Sequence, residues 1–467
     1  REERLVCERV FAPDRDAEAV MRENAIPLFS LESHRPACEF AVIGFTLVSE
    51  VVYTNLLNML DLAGLPLRAS ERDENDPLVF AGGPAVYNPE PLAPFIDLFF
   101  IGEAEEDLPR MLTLLHEHSQ LSRREKLEML VREFAGVYVP AFYDENRKPL
   151  VDFAPETIQA RVIKELKPEY YPAQPVVPLI DVVHDFLNVE VMRGCPHRCR
   201  FCMAESIYRP VRPRPAQDII TQITEQLSHS GYGEVTLLSL SVSDYPHIES
   251  LVQSLSARLA SKRISIDLPS LRPGSVSPEL LSAISKVRTG GLTIAPEAGT
   301  ERLRAFVGKD FPNEAVYDTA RLIFANGFRS LKLYFMVGLP TETEDDLTAI
   351  AQMANQVRDI GREFDGKRHV TVRLSPFVPE PHTPFQWDQA DDEQTMFSKI
   401  KLVKSRVRGS NIQVKYHDTR ASVLSCALLR GGREMATVIE EAFRLGARFD
   451  GWSEEARLDL WEQAFAT

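Results

Sequence analysis

Along the 467-residue chain the spacing of apolar and polar positions changes period repeatedly. From about residue 188 to 375, short apolar or β-branched runs alternate with amphipathic stretches. The strand-like runs are Asn188–Arg193, Glu234–Leu240, Arg263–Leu268, Gly290–Ala295, Ser330–Met336 and His369–Ser375. Helical periodicity lies between them, over Asp218–Leu227, Ile248–Leu259, Pro278–Ile284, Asn313–Ala325 and Glu344–Asp359. Such alternation predicts six βα units and hence a parallel sheet with right-handed crossovers. The expected closure is a partial (β/α)6 TIM-type barrel, whose chemistry gathers at the carboxyl ends of its strands.

A second α/β pattern occupies the amino-terminal region. Leu5–Phe11, Ala41–Leu47, Leu78–Ala81 and Asp97–Ile101 read as strands, and Glu50–Leu62 as a helix. This predicts a Rossmann-like parallel-sheet domain. Its ligand would sit at the strand ends, marked by Thr46-Leu47, Gly82-Gly83 and Gly102-Glu103, since glycine permits close backbone approach. A generic Rossmann turn is the plainer reading of the glycine pair. Because Leu5–Phe11 looks like a second strand, the first strand and helix of such a fold are expected to be missing, as in a fragment. The expected division is therefore 1–117, an amino-terminal ligand domain; 118–187, a connector with the charged helix Arg123–Phe134 and a run of prolines; 188–390, the barrel; and 391–467, a small helical extension.

Composition narrows the class. Hydrophobic residues make up 44% of the chain and charged residues 26%, which suits a globular protein with sizeable cores. No apolar run reaches membrane-spanning length and no signal peptide is recognisable, so a cytoplasmic protein without a membrane is expected. A net charge of −15 disfavours broad non-specific binding to nucleic acid.

Against that background the cysteines stand out. Three of the six fall within Arg193-Gly-Cys-Pro-His-Arg-Cys-Arg-Phe-Cys-Met203, as Cys195, Cys199 and Cys202. Cys7, Cys38 and Cys426 are scattered and read as ordinary thiols of a reducing compartment. Three clustered thiolates suit an iron–sulfur cluster, and three ligands for four irons leave one iron open to a small molecule. The rival readings are a buried helical stripe, which the intervening Pro, His and Arg disfavour; a zinc site, which lacks a second Cys pair; and a disulfide. Arg193, Arg198, Arg200, Arg209, Arg212 and Arg214 surround the triplet. They read either as a solvated loop or as compensation for an anionic cluster or ligand.

The triplet, with the aromatic Phe201 before its last cysteine, resembles the radical S-adenosylmethionine (SAM) superfamily. The resemblance implies a [4Fe-4S] cluster on Cys195, Cys199 and Cys202, with SAM on the open iron. Phe201 would contact SAM. The usual Gly-Gly-Glu after the second strand is absent, leaving Ser241, Ser243 and Asp244 as substitutes. Ser270 and Arg272 would follow the third strand. Glu297, in Ala295-Pro-Glu-Ala-Gly-Thr300, would anchor SAM after the fourth, unless it is simply a helix-start carboxylate. Gly338 and Leu339 would meet adenine after the fifth.

The amino-terminal pattern resembles the cobalamin domain of many such enzymes. Thr46, Leu47, Gly82, Gly83, Gly102 and Glu103 would line the corrinoid, although the Asp-x-His-x-x-Gly loop that often supplies its ligand is absent. The stretches Phe377–Trp387, Lys415–Asp418 and Phe449–Ser453 resemble one uncharacterised family of cobalamin-domain radical SAM proteins. Within the first, His382, Phe385 and Trp387 read either as pocket lining or as a packed connector.

The activity implied is reductive cleavage of SAM, with cobalamin delivering a methyl group to an unactivated carbon of an unidentified substrate. A flavodoxin- or ferredoxin-type electron donor and a linked partner domain or protein are implied as well. The alternatives are a methylthiotransferase-like RNA modifier, which would need a third amino-terminal cysteine, and a non-catalytic cluster-containing binding protein.

Overall fold

The computed structural model describes residues 5–269, 271–287, 290–364 and 366–467. The chain divides into two compact units, one formed by Arg1–Ile163 with Leu424–Thr467 and the other by Lys164–Val423.

In the first unit a four-stranded sheet runs in the order β1 (Val42–Thr46), β2 (Leu78–Gly82), β3 (Leu98–Phe100), β4 (Val137–Tyr138). The first three are parallel and β4 is antiparallel. The short β2 and β3 are buried along nearly their whole length, as apolar central strands of an α/β sheet should be. Asp97 enters this core because it is compensated. Its carboxylate meets Arg72 at 3.0 Å and Arg123 at 2.6 Å and accepts from the Val79 N–H. Arg123 opens the helix Arg123–Glu133, whose start is fixed by a reciprocal capping box between Ser122 and Glu125.

Three expectations are corrected here. Leu5–Phe11 is not a strand. Among the described residues it pairs with no strand, and Val6 and Phe11 are 76% and 62% exposed, so the run has neither ladder nor core to hold it extended in a sheet. Residues 118–163 are part of this unit rather than of a connector, held by Arg123 and by the Gly102–Arg161 bridge. The helical extension is also divided. Residues 391–423 belong to the second unit, and 424–467 return to the first.

That return is tightly made. Asp450 is buried between the Thr54 hydroxyl (2.6 Å) and the Trp461 indole N–H (2.9 Å). Arg433 reaches Glu90 at 2.8 Å and the Tyr138 hydroxyl at 2.9 Å, and Arg68 reaches Glu440 at 2.6 Å.

The second unit carries the barrel strands. The parallel strands β5 (Leu187–Glu190), β8 (Glu234–Leu238) and β9 (Ser265–Asp267) form one sheet. A parallel bridge from Leu271 to Ile294 continues to a second sheet, β10 (Gly291–Glu297), β11 (Ser330–Val337), β12 (His369–Pro376) and β13 (Ile412–Tyr416). Between β5 and β8 lie two short strands, β6 (Met192–Arg193) and β7 (Arg212–Pro213), paired antiparallel. The six expected parallel strands are thus joined by a seventh, β13, reached through the helix Glu393–Arg406. Its exposed, mostly polar outer edge hid it from a hydrophobic pattern. One apolar core joins the buried face of these strands to the helices that cover them. Among the described residues no helix is long and apolar enough to cross a membrane.

Replacing Asp450 with alanine strands the Trp461 N–H and the Thr54 hydroxyl. Urea unfolding followed by tryptophan fluorescence should show the first unit destabilised by about 1–3 kcal/mol, whereas an unchanged transition would contradict the clasp. Burial holds the Asp450 carboxyl above its ordinary 3.8. The folded form therefore binds a proton more readily than the unfolded one, and this group's contribution to stability falls as the pH rises above that value.

Candidate functional site

Strands β6 and β7 close the neck of a loop, residues 194–211, that carries all three clustered cysteines. Gly194 turns the chain at φ +85°. A Cβ there would lie 2.8 Å from both the Tyr208 and Pro210 carbonyls, so only glycine fits. Arg212 donates to the same two carbonyls, and Arg193 pairs with Glu190 at 2.9 Å. Arg214 is buried, donates to the Glu190 carbonyl and stacks 3.7 Å over the Tyr171 ring. Arg193, Arg212 and Arg214 therefore build the neck. Arg209 pairs with Glu205, and Arg200 lies over the Phe306 ring.

Segments that follow three other strands brace the loop. After β8, Asp244 meets His197 at 2.8 Å and accepts from the Ser241 hydroxyl. After β10, the helix Glu301–Phe306 ends in a Schellman turn. The Gly308 N–H bonds to the Ala305 carbonyl and the Lys309 N–H to that of Arg304. This turn lies against the cysteine loop. Arg200 N–H donates to the Val307 carbonyl at 2.9 Å, and a Cβ on Gly308 would fall 2.5 Å from the Arg198 carbonyl oxygen. After β12, the Glu380 carboxylate accepts from the Met203 N–H at 2.9 Å, at the start of the helix Met203–Ile207. Arg304, with no exposed surface, ties the brace together through the carbonyls of Ala298, Gly299 and Phe311 and the Asn313 side chain. Glu380 and Arg304 carried no distinguishing sequence pattern. A carboxylate in a proline-rich link and an arginine on a short helix look ordinary until the chain folds.

The three thiols are partly buried and are joined in no disulfide. Burial pushes all three upward. For Cys195 the Asp244 charge adds to this, while Arg272 and Lys309 oppose it. Lys309 is the main opposing charge at Cys199. Cys202 is pushed up to about 12, by burial first, then by Glu380 and by the other two cysteines. Three thiols on one loop, two nearby cations and a partly buried setting form a donor set for a ligand able to stabilise thiolates. Among the described residues no three His, Cys, Asp or Glu side chains converge on a single metal-ion position. The thiols of a cubane each bind a different iron, so they need not converge.

The other candidate residues fall around this loop unevenly. Phe201 packs against a small apolar cluster that contains Leu339, Val307, Phe377 and Phe385. The Ser243 hydroxyl accepts weakly from the Arg272 N–H at 3.5 Å, and the Arg272 guanidinium lies over the Phe311 ring. Ser270 lies outside the described residues. Glu297 sits at a bulge in β10 with φ +67°, a left-handed backbone that a non-glycine residue adopts at a cost, and pairs with Lys309 at 2.9 Å. Gly338 turns at φ +86° and donates to Glu342, which Lys399 bridges to Asp391. Phe385 is packed in the apolar cluster and Trp387 is 81% exposed, so this pair does not share a pocket.

In the first unit, Thr46 is exposed at the end of β1, while Leu47 is buried with its N–H bonded to Gly82. Gly83 (φ +106°) is required by the Leu47 backbone, which an added Cβ would meet at 2.5 Å. Gly102 meets the Arg161 backbone in the same way, and Glu103 turns its carboxylate to the Ile163 N–H at 2.8 Å. The glycine of each motif thus packs chain against chain.

Residues 1–140 match the family model described as radical SAM proteins, N-terminal, and residues 189–354 match that of the radical SAM superfamily. An uncharacterised protein of Methanocaldococcus jannaschii is 31% identical over 90% of this chain and 84% of its own length. A tRNA-2-methylthio-N(6)-dimethylallyladenosine synthase of Sorangium cellulosum is 28% identical over 41% of this chain and 44% of its own. Among solved structures, the radical S-adenosylmethionine methyltransferase TsrM of Kitasatospora setae aligns over 97% of this chain and 91% of its own, with a TM-score of 0.57 at 12% identity.

The Gly308 contact yields a direct test. Gly308→Ala forces the turn away from Arg198, at a cost of about 1–3 kcal/mol. Mass-spectrometric alkylation of the metal-free protein should then label Cys199 faster than in the parent. An unchanged labelling rate would show that the turn does not hold the loop.

Proposed function

The chain belongs to the radical SAM superfamily of enzymes, and on that premise we propose that Cys195, Cys199 and Cys202 hold a [4Fe-4S] cluster at which SAM is cleaved reductively. The observation that carries this reading is the braced loop: three partly buried thiols on one short segment, pinned at a closed neck and propped by segments following β8, β10 and β12. The donor set fits the group, since thiolates are the ligands iron–sulfur clusters prefer. When bound, such a cluster supplies the electron that breaks a carbon–sulfur bond of SAM, giving methionine and a 5′-deoxyadenosyl radical able to abstract hydrogen.

The protein's own residues would do the holding. Lys309 and Arg272 offset charge near the thiolates, and Lys309 is kept in place by Glu297. Phe201, partly buried against the cluster that holds Leu339, offers an apolar surface beside the loop for the adenosyl group. Ser241 and Asp244 brace His197, so their contribution to SAM is indirect, through the loop. Ser243, Ser270 and Gly338 remain candidates for direct contact.

Cobalamin is the proposed second cofactor, on the first unit. Support comes from the parallel sheet there and from the fold shared with TsrM, whose solved structure contains cobalamin and a [4Fe-4S] cluster. Thr46 and Gly82 are the strand-end positions with room for a ligand, because an added Cβ at Gly82 makes only an ordinary contact at 3.8 Å. Leu47, Gly83, Gly102 and Glu103 would shape the strand ends behind it. A bound corrinoid would supply a transferable methyl group. A flavodoxin- or ferredoxin-type protein is the proposed electron donor, and cytoplasm the proposed location.

Anaerobic reconstitution with iron and sulfide, then incubation with SAM, dithionite and hydroxocobalamin, tests the reading. Iron near four per chain with formation of 5′-deoxyadenosine is expected, together with S-adenosylhomocysteine that depends on the corrinoid. Alanine at any of the three cysteines should abolish 5′-deoxyadenosine. Full iron content in all three variants would overturn the cluster assignment, and absence of corrinoid binding would overturn the methyl-transfer half.

A further inference from the structure

Strands β11, β12 and β13 alternate strictly between two faces. Leu331, Leu333, Phe335 and Val337, with Val370, Val372 and Leu374, are buried in the core that includes the covering helices, and Ile412 and Val414 pack against it. The residues between them face the other side of the sheet. There the register sets Lys332 beside Thr371 and Thr371 beside Gln413, and one pleat further on it sets Tyr334 beside Arg373 and Arg373 beside Lys415. Neighbouring strands lie about 4.8 Å apart. Arg373 and Lys415 are therefore adjacent, and Lys332 is a diagonal neighbour at about 7 Å.

Three cations on one face would ordinarily be neutralised, above all in a chain of net charge −15. Here they are not. Among the described residues none of these six side chains makes a hydrogen bond or ion pair. The Arg373 Nε is buried with no acceptor. The carboxylates on the corresponding face of the neighbouring sheet are engaged elsewhere. Glu190 holds Arg193 and Tyr171, Glu234 accepts from Ser265, and Asp267 has an interaction of its own. An unpaired guanidinium N–H on a half-buried side chain, beside two exposed ammonium groups with no carboxylate on them, leaves this face with donors and positive charge free for an anion.

We propose that this face is the anion-binding part of the substrate site, and that the substrate carries a phosphate or a cluster of carboxylates seated on Lys332, Arg373 and Lys415. The proposal rests on the radical SAM reading, which places the reacting carbon near the strand ends. Arg373 lies three residues before the end of β12, Pro376, so the anionic group sits about 10 Å below that level. The substrate is thus an elongated molecule with its charge at the end remote from the reaction. Arg373 offers a planar fork for two oxygens, and the lysines add point charges on either side.

Calorimetric titration of the full chain with inorganic pyrophosphate and, separately, with citrate tests this. One saturable site per chain is expected for at least one of them, weakened by added salt. Stronger pyrophosphate binding identifies a phosphoryl-bearing substrate; stronger citrate binding identifies a polycarboxylate. Arg373→Gln should weaken binding at least tenfold. So should Lys415→Gln, whose exposed side chain contributes little to folding, while Lys262→Gln, an exposed cation elsewhere on this unit, should leave binding unchanged. No saturable binding of either anion, or equal losses in all three variants, overturns the proposal. The titration needs neither iron nor SAM, so its failure is distinguishable from failure of the cluster reading, which iron analysis reports.

Discussion

The close approach of one backbone turn to one loop governs the chemistry-bearing end of the second unit. Val307 and Gly308 lie against Arg198 and Arg200 so tightly that a single methyl group would collide with a carbonyl oxygen. Short cysteine-rich loops without regular structure lose much conformational entropy on ordering, and here few of the loop's own contacts offset it. The ordering comes from outside: a two-residue antiparallel pair at the neck, a glycine turn, a carboxylate on His197 and another on the first turn after Cys202. Arg304 is central because it fixes the turn that does the pressing. Its guanidinium is buried with no carboxylate partner among the described residues, and three backbone carbonyls and the Asn313 side chain take up its donors.

Much of this could be read from the linear chain, for identifiable reasons. Three cysteines within eight positions are a local signal, and so are βα units whose strands are buried on the helix-facing side. The order of the barrel strands followed directly. What escaped was non-local or weakly patterned. β13 is a polar edge strand, and its membership shows only in its register with β12. The return of residues 424–467 to the first unit depends on Asp450, Thr54 and Trp461, which lie far apart in sequence. Leu5–Phe11 has the composition of a strand but no neighbour to pair with. Gly83 and Gly102 invite a ligand reading from sequence, yet their positive φ is explained by the Leu47 and Arg161 backbones.

The same limit applied to charge. The arginines around the cysteines drew attention because they cluster in sequence, and most proved to be scaffolding, donating to carbonyls or paired with glutamates. Lys332, Arg373 and Lys415 are scattered in sequence and are brought together only by parallel register. Clustering along the chain marked the charges that hold the loop, and clustering across strands marked those left over for a ligand.

The central claim is that three thiolates hold a cluster with one iron open to SAM. Electron paramagnetic resonance of the reconstituted, dithionite-reduced protein tests it most directly. A [4Fe-4S]⁺ signal whose g-values shift on addition of SAM is the predicted result. A signal that is absent, or identical with and without SAM, would contradict the account.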